Sequence, residues 1–161
     1  MNENLNDVIR DYWKQELPPV KSREANIYLD SDLISDIVGP RRAGKTYLLY
    51  GIAAKLPRRT TIYVNFENRR LAGVDGNVFN DLVEFIHSER LIERGERLHL
   101  FLDEVQKIPG WERYVRSIQD EFKGRIKTFV TGSSSELLAS DAAKLLTGRH
   151  LTTLLLPLSF R

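Results

Sequence analysis

Residues 37–46 read IVGPRRAGKT: an apolar pair, a glycine, four residues, then Gly-Lys-Thr at the head of a helically spaced run. Gly39 to Thr46 match G-x-x-x-x-G-K-[ST] without a mismatch. Each residue type answers a chemical need. The glycines let the backbone wrap closely, so that successive N–H groups converge on an anion at a helix N-terminus. Lys45 is a mobile point charge that reaches the β- and γ-phosphates, and the Thr46 hydroxyl can ligate Mg²⁺. The stretch reads as a phosphate cradle whose nucleotide contacts come from Gly39, Pro40, Arg41, Arg42, Ala43, Gly44, Lys45, Thr46 and Tyr47. Arg41 and Arg42 occupy the free positions of the loop, where they either expose charge to solvent or face an acidic partner.

The surrounding pattern supplies the strand and helix that such a loop needs. Leu33–Val38 predicts a strand running into Gly39, and Leu48, Leu49, Ile52, Ala53 and Leu56 mark one face of a helix ended by Pro57. Further strands are expected at Thr60–Phe66, Leu98–Leu102, Ile126–Val130 and Leu151–Leu156. Helical stripes fall at Val78–Ile92, closing near Gly95, and at Trp111–Phe122, with a short helix expected from Glu136. Before the cradle, Leu5, Val8, Ile9, Tyr12 and Trp13 predict an amphipathic helix stopped by Pro18-Pro19, with its stripe packed on the body of the domain. Asn68–Asn77 (NRRLAGVDGN) is the expected exposed, mobile loop. Alternating strands and helices imply right-handed βαβ units and a doubly wound, mainly parallel α/β sheet.

An acidic pair ends one of those strands. In LFLDE, Asp103 and Glu104 stand at the C-terminal end of Leu98–Leu102, the edge of an open α/β sheet where ligands bind. Neighbouring strand residues point to opposite sides, so the two acids take different roles. Asp103 would hold Mg²⁺, directly or through a water, while Glu104 would orient and polarise an attacking water. Thr131, delivered by the Ile126–Val130 strand, either senses the γ-phosphate or water, or caps the next helix. A whole strand and helix lie between the cradle and Asp103. That spacing implies the additional-strand class of P-loop proteins, with strand order 5-1-4-3-2. Guanine-nucleotide signals are missing: Gln106 stands where a D-x-x-G glycine would fall, and there is no N-K-x-D.

The bulk composition agrees with one domain. The chain has 161 residues, 42% hydrophobic and 29% charged, and 24 basic against 22 acidic residues give a net charge of +2. That balance is weak evidence for nucleic acid. With no cysteine, disulfides and thiolate metal sites are excluded. No apolar run reaches membrane-spanning length and the N-terminus lacks a basic signal-peptide start, so the expectation is a cytoplasmic protein without membrane contact.

GPRRAGKT, IYVNFEN, LFLDEVQKIPGWE, VTGSSSELL, LTGRH and LPLSF follow in one order. Together they resemble the archaeal and bacterial AAA-like P-loop ATPases of the AAA_14, or archaeal-ATPase, type, over nearly the whole chain after Arg23. The resemblance implies an ATPase core at residues 23–161 behind a helical extension at 1–22. Gly39–Thr46 would be Walker A, Asp103 and Glu104 Walker B, and Thr131 would lie near sensor 1. Arg149, in LTGRH, matches an arginine that the family shows, and is either a sensor of γ-phosphate or a surface arginine before a strand. Members of the family run on past the LPLSF motif, so the chain is expected to be truncated at the C-terminus. The region beyond would carry homo-oligomer or partner contacts.

The combined expectation is a core that binds ATP with Mg²⁺ and hydrolyses it, with Glu104, Lys45, Thr131 and Arg149 as catalytic groups and Thr46 and Asp103 on the metal. The alternative is a nucleotide-dependent switch or assembly module with negligible turnover. A kinase would share the cradle, but no Arg-rich lid segment supports one.

Overall fold

The computed structural model describes residues 2–20, 27–133 and 148–157. Nine helices and strands among them alternate as the pattern predicts: α1 Glu3–Lys14, β1 Ile34–Gly39, α2 Lys45–Ala53, β2 Thr61–Asn65, α3 Asn77–Ser88, β3 Leu98–Asp103, α4 Trp111–Glu121, β4 Ile126–Ser133 and β5 His150–Leu154. The strands form one sheet in the order β2-β3-β4-β1-β5, and every pairing is parallel. Read from the other edge, this is the expected 5-1-4-3-2.

The order and the handedness rule together place the helices. From β1 the chain crosses the sheet to β2 and then steps back through β3 to β4. Reversing direction while keeping right-handed crossovers puts α2 on one face and α3 and α4 on the other. Alternation along the strands supplies a core for each face. Val38, Ile62, Val64, Leu100, Leu102 and Val130 pack with the stripes of α3 and α4. Ile37, Tyr63, Phe101 and Phe129 pack with Leu48, Leu49, Ile52 and Ala53 of α2. Helix α1 closes the β2 edge: the Trp13 indole N–H donates to the Thr61 carbonyl at 2.8 Å. Its Leu5, Val8 and Ile9 enter the first core and Tyr12 the second.

Several sequence expectations are corrected. Strand β4 runs on through Ser133, because the β1 ladder continues to the Gly39–Ser133 pair; Thr131 is therefore inside the strand. Helix α3 stops at Ser88, where Arg90 turns to φ 53°, although Leu91 and Ile92 remain buried beyond it. The 68–77 stretch is anchored: Arg69–Leu71 forms a 3₁₀ turn, the Asn68 side chain accepts from the Arg70 N–H, and Leu71 is buried in the first core. The helix expected from Glu136 lies outside the described residues.

Candidate functional site

Three parallel strands carry their C-terminal ends to one place. Strand β1 ends at Gly39, beside the point where the chain's path across the sheet changes direction, which is where open α/β sheets bind ligands. Gly39 cannot be larger: an added Cβ would stand 2.3 Å from the Leu155 carbonyl oxygen. The loop then turns through Arg42 at φ 66° and Gly44 at φ 88°, and α2 begins at Lys45 with no side chain capping it. First-turn N–H groups at such an end attract anions. Pro40, Arg41, Arg42 and Tyr47 are exposed around the loop while Ala43 is buried under it. A cavity of about 310 Å³ is lined by Arg42, Gly44, Lys45, Thr46, Tyr47 and Glu104.

Lys45 is only 5% exposed. Its ammonium donates to the Gly39 and Pro40 carbonyls at 3.1 and 3.3 Å, and lies 3.8 Å from the Glu104 carboxylate. The cation is thus held inside the cradle, next to the acid expected to polarise water.

Asp103, fully buried at the end of β3, is the hub of the site. Its Oδ2 accepts from the Thr46 hydroxyl at 2.8 Å, the Tyr63 hydroxyl at 2.7 Å and the Asn65 amide at 3.3 Å. Its Oδ1 accepts from the Thr131 hydroxyl at 2.5 Å. A buried carboxylate is tolerable when donors surround it in this way. Burial and then the charge of Asp103 hold the Tyr63 phenol well above its ordinary pKa of 10, so it stays a donor. The Thr46–Asp103 contact joins two oxygen donors of the kind that Mg²⁺ takes one or two of, leaving its other positions to phosphates and water. Among the described residues no group of three His, Cys, Asp or Glu could hold a metal by itself.

Glu104 follows the strand in the left-handed region, at φ 54°. That conformation is uncommon outside glycine and costs about 1–3 kcal/mol, so surrounding contacts must hold it. Two do so: its N–H donates to the Thr131 hydroxyl at 3.0 Å, and its carboxylate accepts from the Gln106 amide at 2.6 Å. The turn carries the Glu104 side chain away from Asp103 and toward Lys45.

The structure therefore brings together Gly39–Tyr47, Asp103, Glu104 and Thr131. Among the described residues Thr131 forms a bridge, accepting from Glu104 and donating to Asp103; the helix that it is also expected to cap lies outside them. Arg149 is not brought to the site. It precedes β5, its carbonyl accepts from the Ile34 N–H, and its guanidinium pairs with Asp120 at the end of α4. The five steps from Ile34 to Gly39 along β1 put it about 17 Å from the loop. Sequence reading missed Tyr63, Asn65 and Gln106. The available signal was period two: Tyr63 and Asn65 share one face of β2, and the register sets Asn65 beside Asp103.

Residues 31–161 match the sequence model of a family described as an AAA domain. An uncharacterized protein of Methanocaldococcus jannaschii is 37% identical over 142 residues, covering 88% of this chain and 30% of that protein. An uncharacterized protein of Haemophilus influenzae is 32% identical over 144 residues, covering 83% of this chain and 34% of its own length. The chain thus spans about a third of the curated relatives it matches. Among solved structures, C. elegans PCH-2 shares the fold with a TM-score of 0.54 at 13% identity, over 81% of this chain and 37% of that one.

Proposed function

Because the chain belongs to the AAA domain family, a nucleotide-binding ATPase type, we propose that it binds ATP with Mg²⁺ and hydrolyses it to ADP and phosphate. The observation that carries this reading is the continuous set of contacts Thr46–Asp103–Thr131–Glu104–Lys45. It links the cradle, the oxygens that would hold the metal and the acid that would face the γ-phosphate. Backbone N–H groups of the loop and the first turn of α2 would bind the phosphates, and Lys45 would leave the Gly39 and Pro40 carbonyls for the β/γ oxygens. Thr46 and Asp103 would hold Mg²⁺, which supplies charge neutralisation on the phosphates when bound. Glu104 would orient the attacking water and accept its proton, while Thr131 keeps the two acids apart and in place. Positioning and electrostatics carry most of phosphoryl transfer, so this network of contacts is what the chemistry would draw on.

Arg149 lies too far from the cradle of its own chain to touch a γ-phosphate there. Its proposed role is at the site of a neighbouring subunit. A homo-oligomer or a protein partner is the proposed setting of this core; nucleic acid is a weaker candidate. No helix among the described residues is long and apolar enough to cross a membrane, and the proposed location is the cytoplasm. Residues 1–22 are proposed as an extension to a core at 23–161.

One observation favours a second reading, a nucleotide-dependent switch with negligible turnover. The Glu104 carboxylate is already engaged by Gln106 and faces Lys45, contacts that compete with a water. Glu104→Gln separates the two. An ATPase should keep MgATP affinity and lose phosphate release, because the amide cannot accept a proton. A wild-type chain that binds MgATP yet releases phosphate no faster than this variant is a switch.

A further inference from the structure

We propose that Tyr63 is a positioning residue for the metal-binding acid, and that its hydroxyl sets how strongly nucleotide binding depends on divalent cation. This rests on the reading of Asp103 as the acid that holds Mg²⁺ together with Thr46. Tyr63 belongs to β2, 40 residues before Asp103, and lies outside the cradle and the acidic pair. Its hydroxyl donates at 2.7 Å to Asp103 Oδ2, the same oxygen that accepts from Thr46. The two donors meet that oxygen from different sides: Thr46 from the helix laid over the sheet, Tyr63 from the neighbouring strand. Asn65 adds a longer bond from the same strand. With Tyr63 in place, Asp103 has one orientation in which it meets the Thr46 hydroxyl. Without it, Thr131 on Oδ1 and the longer Asn65 bond remain, but Oδ2 loses its shortest donor and is less closely fixed against Thr46.

The ring is built to hold that hydroxyl still. Tyr63 is 4% exposed. It stacks on Tyr12 at 5.4 Å and 21°, on Phe101 at 6.0 Å and 19°, and meets Tyr50 at 5.0 Å and 35°. Such contacts fix a ring's plane beyond what burial alone does. Packing by itself would be served as well by phenylalanine, which Phe101 and Phe129 supply one and two strands away in the same stack. A phenol here carries a polar atom into the core, and that atom is spent on the carboxylate. Because Tyr12 comes from α1, the N-terminal helix packs directly on the ring whose hydroxyl meets Asp103.

Partners that orient a metal ligand are worth roughly 10–100-fold in metal affinity when removed. The test is a Mg²⁺ titration of fluorescent ATP-analogue binding, with a parallel measurement in EDTA, on wild type, Tyr63→Phe, Asp103→Asn and Tyr12→Phe. Phenylalanine keeps all three ring contacts, and circular dichroism checks the fold. Tyr63→Phe should raise the half-saturating Mg²⁺ concentration roughly tenfold while leaving the EDTA affinity unchanged. Tyr12→Phe, which removes a buried hydroxyl from the same stack but not from Asp103, should behave as wild type. A Mg²⁺ dependence that Asp103→Asn shifts and Tyr63→Phe does not would overturn the proposal and leave the site reading intact. Equal loss of affinity with and without Mg²⁺ in Tyr63→Phe would also overturn it, by showing a structural role. If wild type binds no nucleotide, or binds it with no Mg²⁺ dependence, the functional reading itself fails and the proposal goes with it.

Discussion

Replacing Thr131 with valine keeps the shape of a fully buried side chain and removes the one atom that joins the two acids. The hydroxyl donates to Asp103 Oδ1 at 2.5 Å and accepts from the Glu104 N–H at 3.0 Å. Valine leaves a buried carboxylate oxygen and a backbone N–H without this partner. Each such loss costs about 1–3 kcal/mol, and the charged acceptor lies at the upper end. Taking about 3 kcal/mol for the acceptor and about 1 for the part-buried N–H, the sum is about 4 kcal/mol, a large share of the 5–15 kcal/mol that stabilises a typical domain. For a chain of this size 1 kcal/mol corresponds to about 2–4 °C in Tm, so Thr131→Val should melt roughly 8–16 °C below wild type. Thr131→Ser keeps the hydroxyl and loses a methyl group, worth about 1 kcal/mol, and should melt within about 4 °C of wild type. The unpinned N–H should also free Glu104 from its left-handed conformation, so phosphate release should fall even at saturating Mg²⁺ and ATP. Differential scanning calorimetry of the three proteins tests the reasoning. Equal melting of the valine and serine variants would refute it, because the cost would then come from packing and not from the bridge.

Lys45→Ala should weaken ATP binding by about 2–3 kcal/mol, or roughly 30–150-fold, since it removes the cation held inside the cradle; an unchanged calorimetric titration would take Lys45 out of that role. Gly39→Ala should destabilise the fold by about 1–3 kcal/mol in urea unfolding, because its Cβ would stand 2.3 Å from the Leu155 backbone oxygen; a neutral effect would mean that β1 and the residues after β5 separate at little cost. Lys127 is fully buried in β4 with its ammonium on the Leu33 carbonyl, and burial, then the charge of Arg97, lowers its pKa to about 8. Below pH 8 both folded and unfolded chains hold this proton and the burial cost is constant. From pH 8 up to about 10.4 the folded chain releases it first, so the contribution of Lys127 to stability rises with pH. The stability of wild type relative to Lys127→Met should therefore increase by about 2 kcal/mol between pH 7.5 and 9.5; parallel pH profiles in chemical unfolding would show that the amine titrates normally.

The cradle, the acidic pair and the strand order were all legible in the sequence, for a shared reason. Gly39–Thr46 acts through backbone conformation and side chains within eight consecutive residues, and Asp103-Glu104 ends an apolar strand that announces its own edge. The 5-1-4-3-2 order follows from counting a strand and a helix between those two motifs, the spacing that marks the additional-strand class of P-loop proteins. What tertiary structure alone decided is lateral. Tyr63 and Asn65 reach Asp103 only because β2 pairs with β3 in the register that sets Asn65 beside it, and nothing within IYVNF states that register. Thr131 bridges the acids because β4 lies between β1 and β3 and continues to Ser133. Arg149 sits within a motif yet stands at the opposite edge of the sheet from the cradle, because strand direction, not sequence proximity to β5, sets which end it occupies. Leu71 turned an apparently free loop into an anchored one by finding a place in a core built from distant strands. Sequence pattern specifies what a segment is and which way it faces; which hydrogen-bonding atoms meet across strands is settled only when the sheet assembles, since pairing brings residues forty positions apart to within 3 Å.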